Sequence, residues 1–130
     1  MSAGTHTYSR SEKLKSRKVL NALFTGGKTI SVFPVKLFWI AAGNSFEQPV
    51  QAGVGVSARH FSKAVDRNRI KRLLRECYRL NKQPLLTTLK SHQKQIAVFF
   101  LYIGKELPDH GMLTEKMQQA LTKLEEQIVR

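Results

Sequence analysis

Residues 64–82 read AVDRNRIKRLLRECYRLNK and combine an apolar helical stripe with the densest positive charge in the chain. The apolar side chains recur at i, i+3, i+4 and i+7, with one more close behind, and they are Ile70, Leu73, Leu74, Cys77 and Leu80. This spacing predicts a helix with one buried face. The other faces carry two acids, Asp66 and Glu76, against seven bases, which are Arg67, Arg69, Lys71, Arg72, Arg75, Arg79 and Lys82. A helix with this charge distribution predicts an anionic partner.

The overall charge extends this prediction to the whole chain. The 130 residues, 42% of them apolar, are enough for one domain with its own core. The formal net charge is +13 and the pI is near 10.3. Residues 1–82 carry 16 Lys and Arg against 4 Asp and Glu, whereas residues 83–130 carry 6 against 5. This asymmetry predicts a basic face, built by the first two thirds of the chain, that binds a polyanion.

The single cysteine and the short apolar runs indicate the cellular compartment of the protein. Cys77, the single cysteine, lies on the apolar stripe, so a disulfide framework is excluded and a reducing cytoplasm is expected. Residues 1–10 lack the apolar stretch of a signal peptide. The longest apolar run, residues 96–103, is shorter than the roughly 20 residues that span a bilayer. We therefore expect a cytoplasmic protein without a membrane partner.

A short helix and an extended segment in two parts are predicted at the start of the chain. Ser16 is expected to cap a short helix that carries Leu20 and Phe24 and ends at Gly26 and Gly27 in a left-handed conformation. Residues 29–42 are typical of extended structure that Pro34 interrupts. One face of the second part is apolar, and the other places Lys36 beside Phe38, a pairing found in proteins that bind single-stranded nucleic acid.

The strand predicted at residues 51–57 has one face made of Gly53, Gly55 and Ser57. Because this face is bare backbone, we expect a ligand or another chain segment to approach it closely.

The remaining elements complete an α+β pattern. Ser62 is expected to cap the basic helix, residues 85–95 are predicted to be a short irregular or helical piece, and residues 96–103 predict a central strand. A turn at residues 109–111 and a cap at Thr114 precede a last helix. The order αββ(β)αβα predicts a two-layer α+β sandwich. Residues 1–10 are expected to be a flexible tail, residues 43–49 a loop, and residues 11–130 a single domain.

The titratable residues give no pattern of a catalytic or metal site in the protein. The nine acids form no D-x-D or E-x-x-H arrangement, and the four histidines are scattered singly. A two-metal nuclease needs several convergent carboxylates, and no P-loop or metal-ligand spacing is present. We therefore expect no catalytic residues and no metal ligands in the chain itself.

The sequence distinguishes less clearly between DNA and RNA as the partner. A helix–turn–helix protein would place the basic helix in the major groove of DNA, but the element before it is predicted to be a strand. RNA suits arginine forks that grip phosphates and aromatic rings that stack on unpaired bases. These features favour RNA over DNA.

The run RNRIKRLLRE at residues 67–76 closely resembles the RNR signature of the bacterial ribonuclease P protein subunit. The resemblance also includes the upstream VGVSAR, the start of the basic helix at Ala64 and Val65, the first helix ending at Phe24, and the strand of Phe38. It extends over about residues 10–130.

The resemblance implies a fold, a partner and a site. The implied fold is similar to a ribosomal protein, with a left-handed βαβ crossover. The implied catalyst is a large RNA that uses Mg²⁺, while the protein favours precursor tRNA. The residues implied to bind the RNA subunit are Arg59, Lys63, Arg67, Asn68, Arg69, Lys71, Arg72 and Arg75. Those implied to form the cleft for the 5′ leader of precursor tRNA are Leu20, Phe24, Lys36 and Phe38.

The sequence is thus predicted to be the protein component of a ribonuclease P, which assists endonucleolytic removal of the 5′ leader. The expected partners are the catalytic RNA and precursor tRNA, not DNA. The alternative is a structural RNA-binding protein, ribosome-associated for example, without a role in processing. A nuclease that acts through its own side chains is disfavoured by the scarcity of acids and histidines.

Overall fold

The computed structural model describes residues 13–14, 16–42 and 49–130. The tail predicted at residues 1–10 and most of the loop predicted at 43–49 lie outside the described residues. The elements, in chain order, are α1 (Arg17–Gly26), β1 (Lys28–Val32), β2 (Val35–Ala41), β3 (Val50–Val56), α2 (Ala64–Asn81), α3 (Gln83–Ser91), β4 (Ile96–Tyr102) and α4 (His110–Val129). The α+β class and the order of elements are confirmed, and the piece predicted to be irregular or helical at residues 85–95 is helical as far as Ser91.

The four strands form one mixed sheet in the order β1-β2-β4-β3. The pairs β1–β2 and β2–β4 are antiparallel, and β3–β4 is parallel, so that β3, α2, α3 and β4 form a βαβ unit. The all-apolar β4 is central, as predicted. Just before α1, Lys13 bridges to Ala52 on the outer edge of β3. The handedness of the crossover stays a prediction.

The main core lies between one face of the sheet and helices α2, α3 and α4. Alternate strand residues such as Leu37, Val98 and Phe100 are fully buried against these helices. The opposite face is covered only in part, by α1, where Leu23 and Ala97 are buried. This uneven cover leaves part of the second face accessible, where residues such as Phe38, Phe99 and Leu101 are only half-buried.

Two of the three predicted helix caps are wrong. The hydroxyl of Ser16 accepts a hydrogen bond from the Val19 amide at 3.3 Å, as predicted. Helix α2 has Lys63, not Ser62, at its N-cap position and no side-chain cap. Helix α4 begins at His110, because Asp109 accepts a bond from the Met112 amide at 3.0 Å, so the predicted turn is the helix start. The Thr114 hydroxyl instead hydrogen-bonds the Cys77 sulfur at 3.3 Å.

The buried stripe of α2 is rotated relative to its prediction. Ile70, Leu74 and Cys77 are buried as expected, but Leu80 is 42% exposed and Tyr78 takes the place predicted for it. The ring of Tyr78 lies 5.4 Å from that of Phe100 on β4. A large ring in contact with the sheet therefore decides which face of the last turns is buried.

Helix α1 ends at Gly27 for a reason other than the one predicted. Its φ of −76° is ordinary extended backbone, not the left-handed conformation. A Cβ at this position would lie 2.4 Å from the Leu23 carbonyl oxygen. Close approach of backbone, rather than a positive φ, requires glycine there.

Candidate nucleic-acid interface

The predicted RNA-binding residues lie on α2 and in the segment before it, and we call them the basic surface. Those that are exposed are Arg59, Lys63, Asn68, Arg69, Arg72 and Arg75, and those that are half-buried are Arg67 and Lys71. The apolar stripe holds this helix on the sheet, so its other faces project their charges away from the core. The geometry suits contacts to several phosphates at once.

Two bases that the sequence predicted on the basic helix do not belong to this surface. Lys82 is fully buried at the junction of α2 and α3, against the prediction that it lies on the basic face. Arg79 forms a 2.6 Å ion pair with Glu76. The basic surface is therefore concentrated at the first three turns of the helix.

Arg67 has a contact inside the protein that the motif did not predict. Its Nη1 donates to the carbonyl oxygens of Phe61 at 2.8 Å and Ser62 at 2.7 Å. These bonds tie the start of α2 to residues 57–63, which carry Arg59 and Lys63. One nitrogen of Arg67 is thus used to shape the basic surface.

The predicted leader-cleft residues meet where α1 crosses the sheet. Phe24 is 50% exposed, and its ring lies edge-on to Phe38 with centroids 5.2 Å apart. Lys36 Nζ lies 5.3 Å from the centroid of the Phe38 ring. Leu20 is half-buried in the same cluster. An aromatic surface beside a cation is the arrangement that stacks unpaired bases.

Phe99 is a member of this aromatic cluster that the sequence prediction missed. Its ring lies 5.2 Å from that of Phe24, also edge-on. It covers the bare strand face, because a Cβ at Gly53 would lie 3.0 Å from it and a Cβ at Gly55 only 2.6 Å. The all-apolar run of β4 hid which residues face α1. The glycines, which lie beside Phe99 and Leu101 in the register, were the available signal.

Arg75 reaches toward the aromatic cluster. It lines an open cavity of about 390 Å³ between α1 and β3, together with Leu20, Gly53 and Phe99. The other predicted bases of α2 do not line this cavity. Arg75 therefore lies where the basic surface and the aromatic cluster adjoin.

Cys77 is shielded, as predicted for a core thiol. Burial raises the pKa of its thiol above the ordinary value, while the Thr114 hydroxyl lowers this pKa and the Glu76 carboxylate raises it. A thiol with a raised pKa is a poor nucleophile at neutral pH.

The described ranges, residues 13–14, 16–42 and 49–130, hold neither a clustered metal site nor a membrane span. Within them, no three His, Cys, Asp or Glu side chains are grouped so that they could hold a metal ion. No helix in the same ranges is both long and apolar enough to cross a bilayer.

Comparisons with known proteins identify the family. The family model described as Ribonuclease P matches residues 8–125. The chain belongs to the ribonuclease P protein family. It is 34% identical over 123 residues to the ribonuclease P protein component of Porphyromonas gingivalis, covering 95% of this chain and 90% of that protein. The corresponding protein of Chlorobium phaeobacteroides is 31% identical, with 92% and 90% covered.

Solved structures agree on the fold. The ribonuclease P protein of Thermotoga maritima superposes with a TM-score of 0.67 at 23% identity, covering 86% of this chain and 96% of that one. That of Staphylococcus aureus gives 0.67 at 16% identity, covering 87% and 94%. As a ribonuclease P protein component, the chain is part of a ribonucleoprotein endoribonuclease.

Proposed function

We propose that the chain binds the ribonuclease P RNA through α2 and the 5′ leader of precursor tRNA through the aromatic cluster. In this role it assists, in the cytoplasm, the endonucleolytic removal of the leader. The RNA subunit carries out the chemistry with Mg²⁺, for which the described residues offer no clustered ligands. The proposed RNA-subunit surface consists of Arg59, Lys63, Arg67, Asn68, Arg69, Lys71, Arg72 and Arg75.

The observation that carries the leader assignment is the half-exposed Phe24 ring held against Phe38 and Phe99. An exposed aromatic ring is costly in water unless a partner covers it, and every nucleobase has a face that stacks on such a ring. Lys36 beside Phe38 can neutralise a leader phosphate. The cluster lies outside the main core, on the side of the sheet that α1 covers.

Reconstitution at low Mg²⁺ tests the proposal. The purified chain, a bacterial ribonuclease P RNA and a 5′-extended precursor tRNA are combined, and cleavage is compared with and without the protein. We expect the protein to stimulate cleavage and to be inactive without the RNA. Absence of stimulation would contradict the proposal, and cleavage by the protein alone would assign the chemistry to its side chains.

The leader assignment is tested by Phe38→Ala. Loss of one stacked base should weaken precursor binding to the holoenzyme by about 1–3 kcal/mol. Mature tRNA, which has no leader, serves as the control ligand and should bind with wild-type affinity. Equal losses for both tRNAs would show that the aromatic cluster does not contact the leader.

A further inference from the structure

A groove at one end of the sheet lies outside both proposed surfaces. It is formed by the turn between β1 and β2 and by the segment that joins β4 to α4. Its volume is about 520 Å³, and its lining includes Phe33, Pro34, Tyr102, Lys105, Leu107 and Lys116. None of these residues belongs to the basic surface or to the aromatic cluster.

The groove exposes apolar side chains on a fixed backbone. Phe33 is 66% exposed, more than Phe24, and Leu107 is 46% exposed. The walls are tied together, because the Ile103 amide donates to the Pro34 carbonyl at 2.8 Å. The Tyr102 hydroxyl donates to the Glu106 carbonyl at 2.6 Å. Since these bonds hold both walls, the groove is preformed and a ligand need not order it.

The charges around the groove favour an anionic ligand. Lys105 and Lys116 line it with a single acid, Glu106. Tyr102 forms the buried inner wall of the groove, and its ring lies 6.1 Å from that of the buried Phe61. Phe61 belongs to residues 57–63, which Arg67 ties to α2. The wall of the groove is thus joined through the core to the segment that carries Arg59 and Lys63.

We infer that this groove binds an unpaired nucleobase of the ribonuclease P RNA, stacked on Phe33 and flanked by phosphates at Lys105 and Lys116. The inference rests on the proposed function, which supplies the RNA partner. The leader is a poorer candidate, because the aromatic cluster lies on the other face of the sheet from Tyr102. A second copy of the chain would bring two charges of +13 together.

The test measures binding of the full chain to ribonuclease P RNA without tRNA. Phe33→Ala should lower the affinity about tenfold, within the range for one stacked base. Phe33→Trp should retain wild-type affinity, since indole also stacks. Val129→Ala, a change at a residue 52% exposed at the end of α4, is the matched control and should have no effect.

Salt dependence and thermal melting refine the test. Lys116→Ala should reduce the slope of log affinity against log salt by about one, because one phosphate contact is lost. Phe33→Ala should leave that slope unchanged, because stacking releases no counterions. All variants should have the melting temperature of the wild type, since Phe33, Lys116 and Val129 lie outside the core.

Three results would overturn the inference while the proposed function stands. Phe33→Ala could bind the RNA like the wild type. Its defect could appear only with precursor tRNA, which would make the leader the ligand. The free protein could lose a dimer on substitution, which would make a second copy the partner. Failure of the wild-type chain to bind the RNA would refute the proposed function and this inference together.

Discussion

Arg67 shows how one residue of a binding motif can also shape the surface on which it lies. Arg67 is the first residue of the RNR run, and the sequence alone does not distinguish its role from that of the other basic residues. In the structure, two backbone carbonyls accept hydrogen bonds from its Nη1. These two hydrogen bonds hold the segment that carries Arg59 and Lys63. They thereby position two side chains that are proposed to bind phosphate.

This role predicts different behaviour for two arginines of α2. Arg67→Ala should destabilise the fold by about 1–2 kcal/mol, through loss of two charge-assisted hydrogen bonds, and weaken RNA binding without changing its salt slope. Arg72→Ala, at an exposed position, should leave stability unchanged and lower the slope by about one. Thermal melts and RNA titrations at several salt concentrations measure both. A reduced slope for Arg67→Ala would make it a phosphate ligand instead.

At the level of whole helices, the position of α1 decides where the Phe24 ring lies. The helix must end before β1, and its last turn brings the Leu23 carbonyl close to residue 27. Only glycine fits there, because a Cβ would occupy the same space as that carbonyl. Gly26, one residue earlier, is the natural comparison, because a Cβ added there would have nothing within 4 Å.

Gly27→Ala is expected to destabilise the protein by about 1–3 kcal/mol, because the new methyl group would collide with the Leu23 carbonyl. It should also weaken precursor binding, since α1 carries Phe24. Gly26→Ala should leave stability unchanged or raise it by up to about 1 kcal/mol, because alanine favours the helix. Denaturant melts of the two variants give the comparison. Equal stabilities would show that the end of α1 adapts to a larger residue.

The elements were predictable from the sequence because their periodicities are simple. The alternation of β2 and the all-apolar run of β4 each fixed a strand. Positions that depend on contacts between elements were not predictable. Tyr78 replaced Leu80 in the core because it contacts Phe100. Lys82 is buried because it is the single residue between α2 and α3. Asp109 displaced Thr114 as a cap because both residue types cap helices, and sequence spacing does not rank them.

The grouping of the candidate site residues was predictable to a similar extent, while their binding roles stay predictions. Leu20, Phe24, Lys36 and Phe38 are brought together as the resemblance implies, whereas Phe99 and the internal bonds of Arg67 required the register and the loop geometry. Because β4 is apolar on both faces, its sequence does not show that Phe99 faces α1 and that Phe100 faces the main core.

For the whole molecule, the charge of +13 has opposite effects on folding and binding. Self-repulsion destabilises the compact state, and salt screens it. Raising the salt concentration from about 0.05 to 0.3 M should therefore raise the melting temperature of the free protein. The same change should weaken RNA binding steeply. Binding releases counterions from roughly six to eight phosphates, and a higher salt concentration makes this release less favourable.

Calorimetry of the free protein and titration with ribonuclease P RNA over one salt series measure both trends. A melting temperature that falls with salt would mean that attractive charge pairs, rather than repulsion, dominate the free protein.

Strand β4 contributes to both sides of the molecule, with Phe99 in the aromatic cluster and Phe100 in the core beneath α2. Phe99 and Phe100 thus point to opposite faces of the sheet, and helix α2 lies between the core face and the proposed RNA-subunit surface. The spacing between leader and RNA subunit would then be a fixed length, set by covalent geometry and by helix–sheet packing. A deletion of one residue before Phe99 would exchange the two faces, so this length could be altered only by disrupting the core.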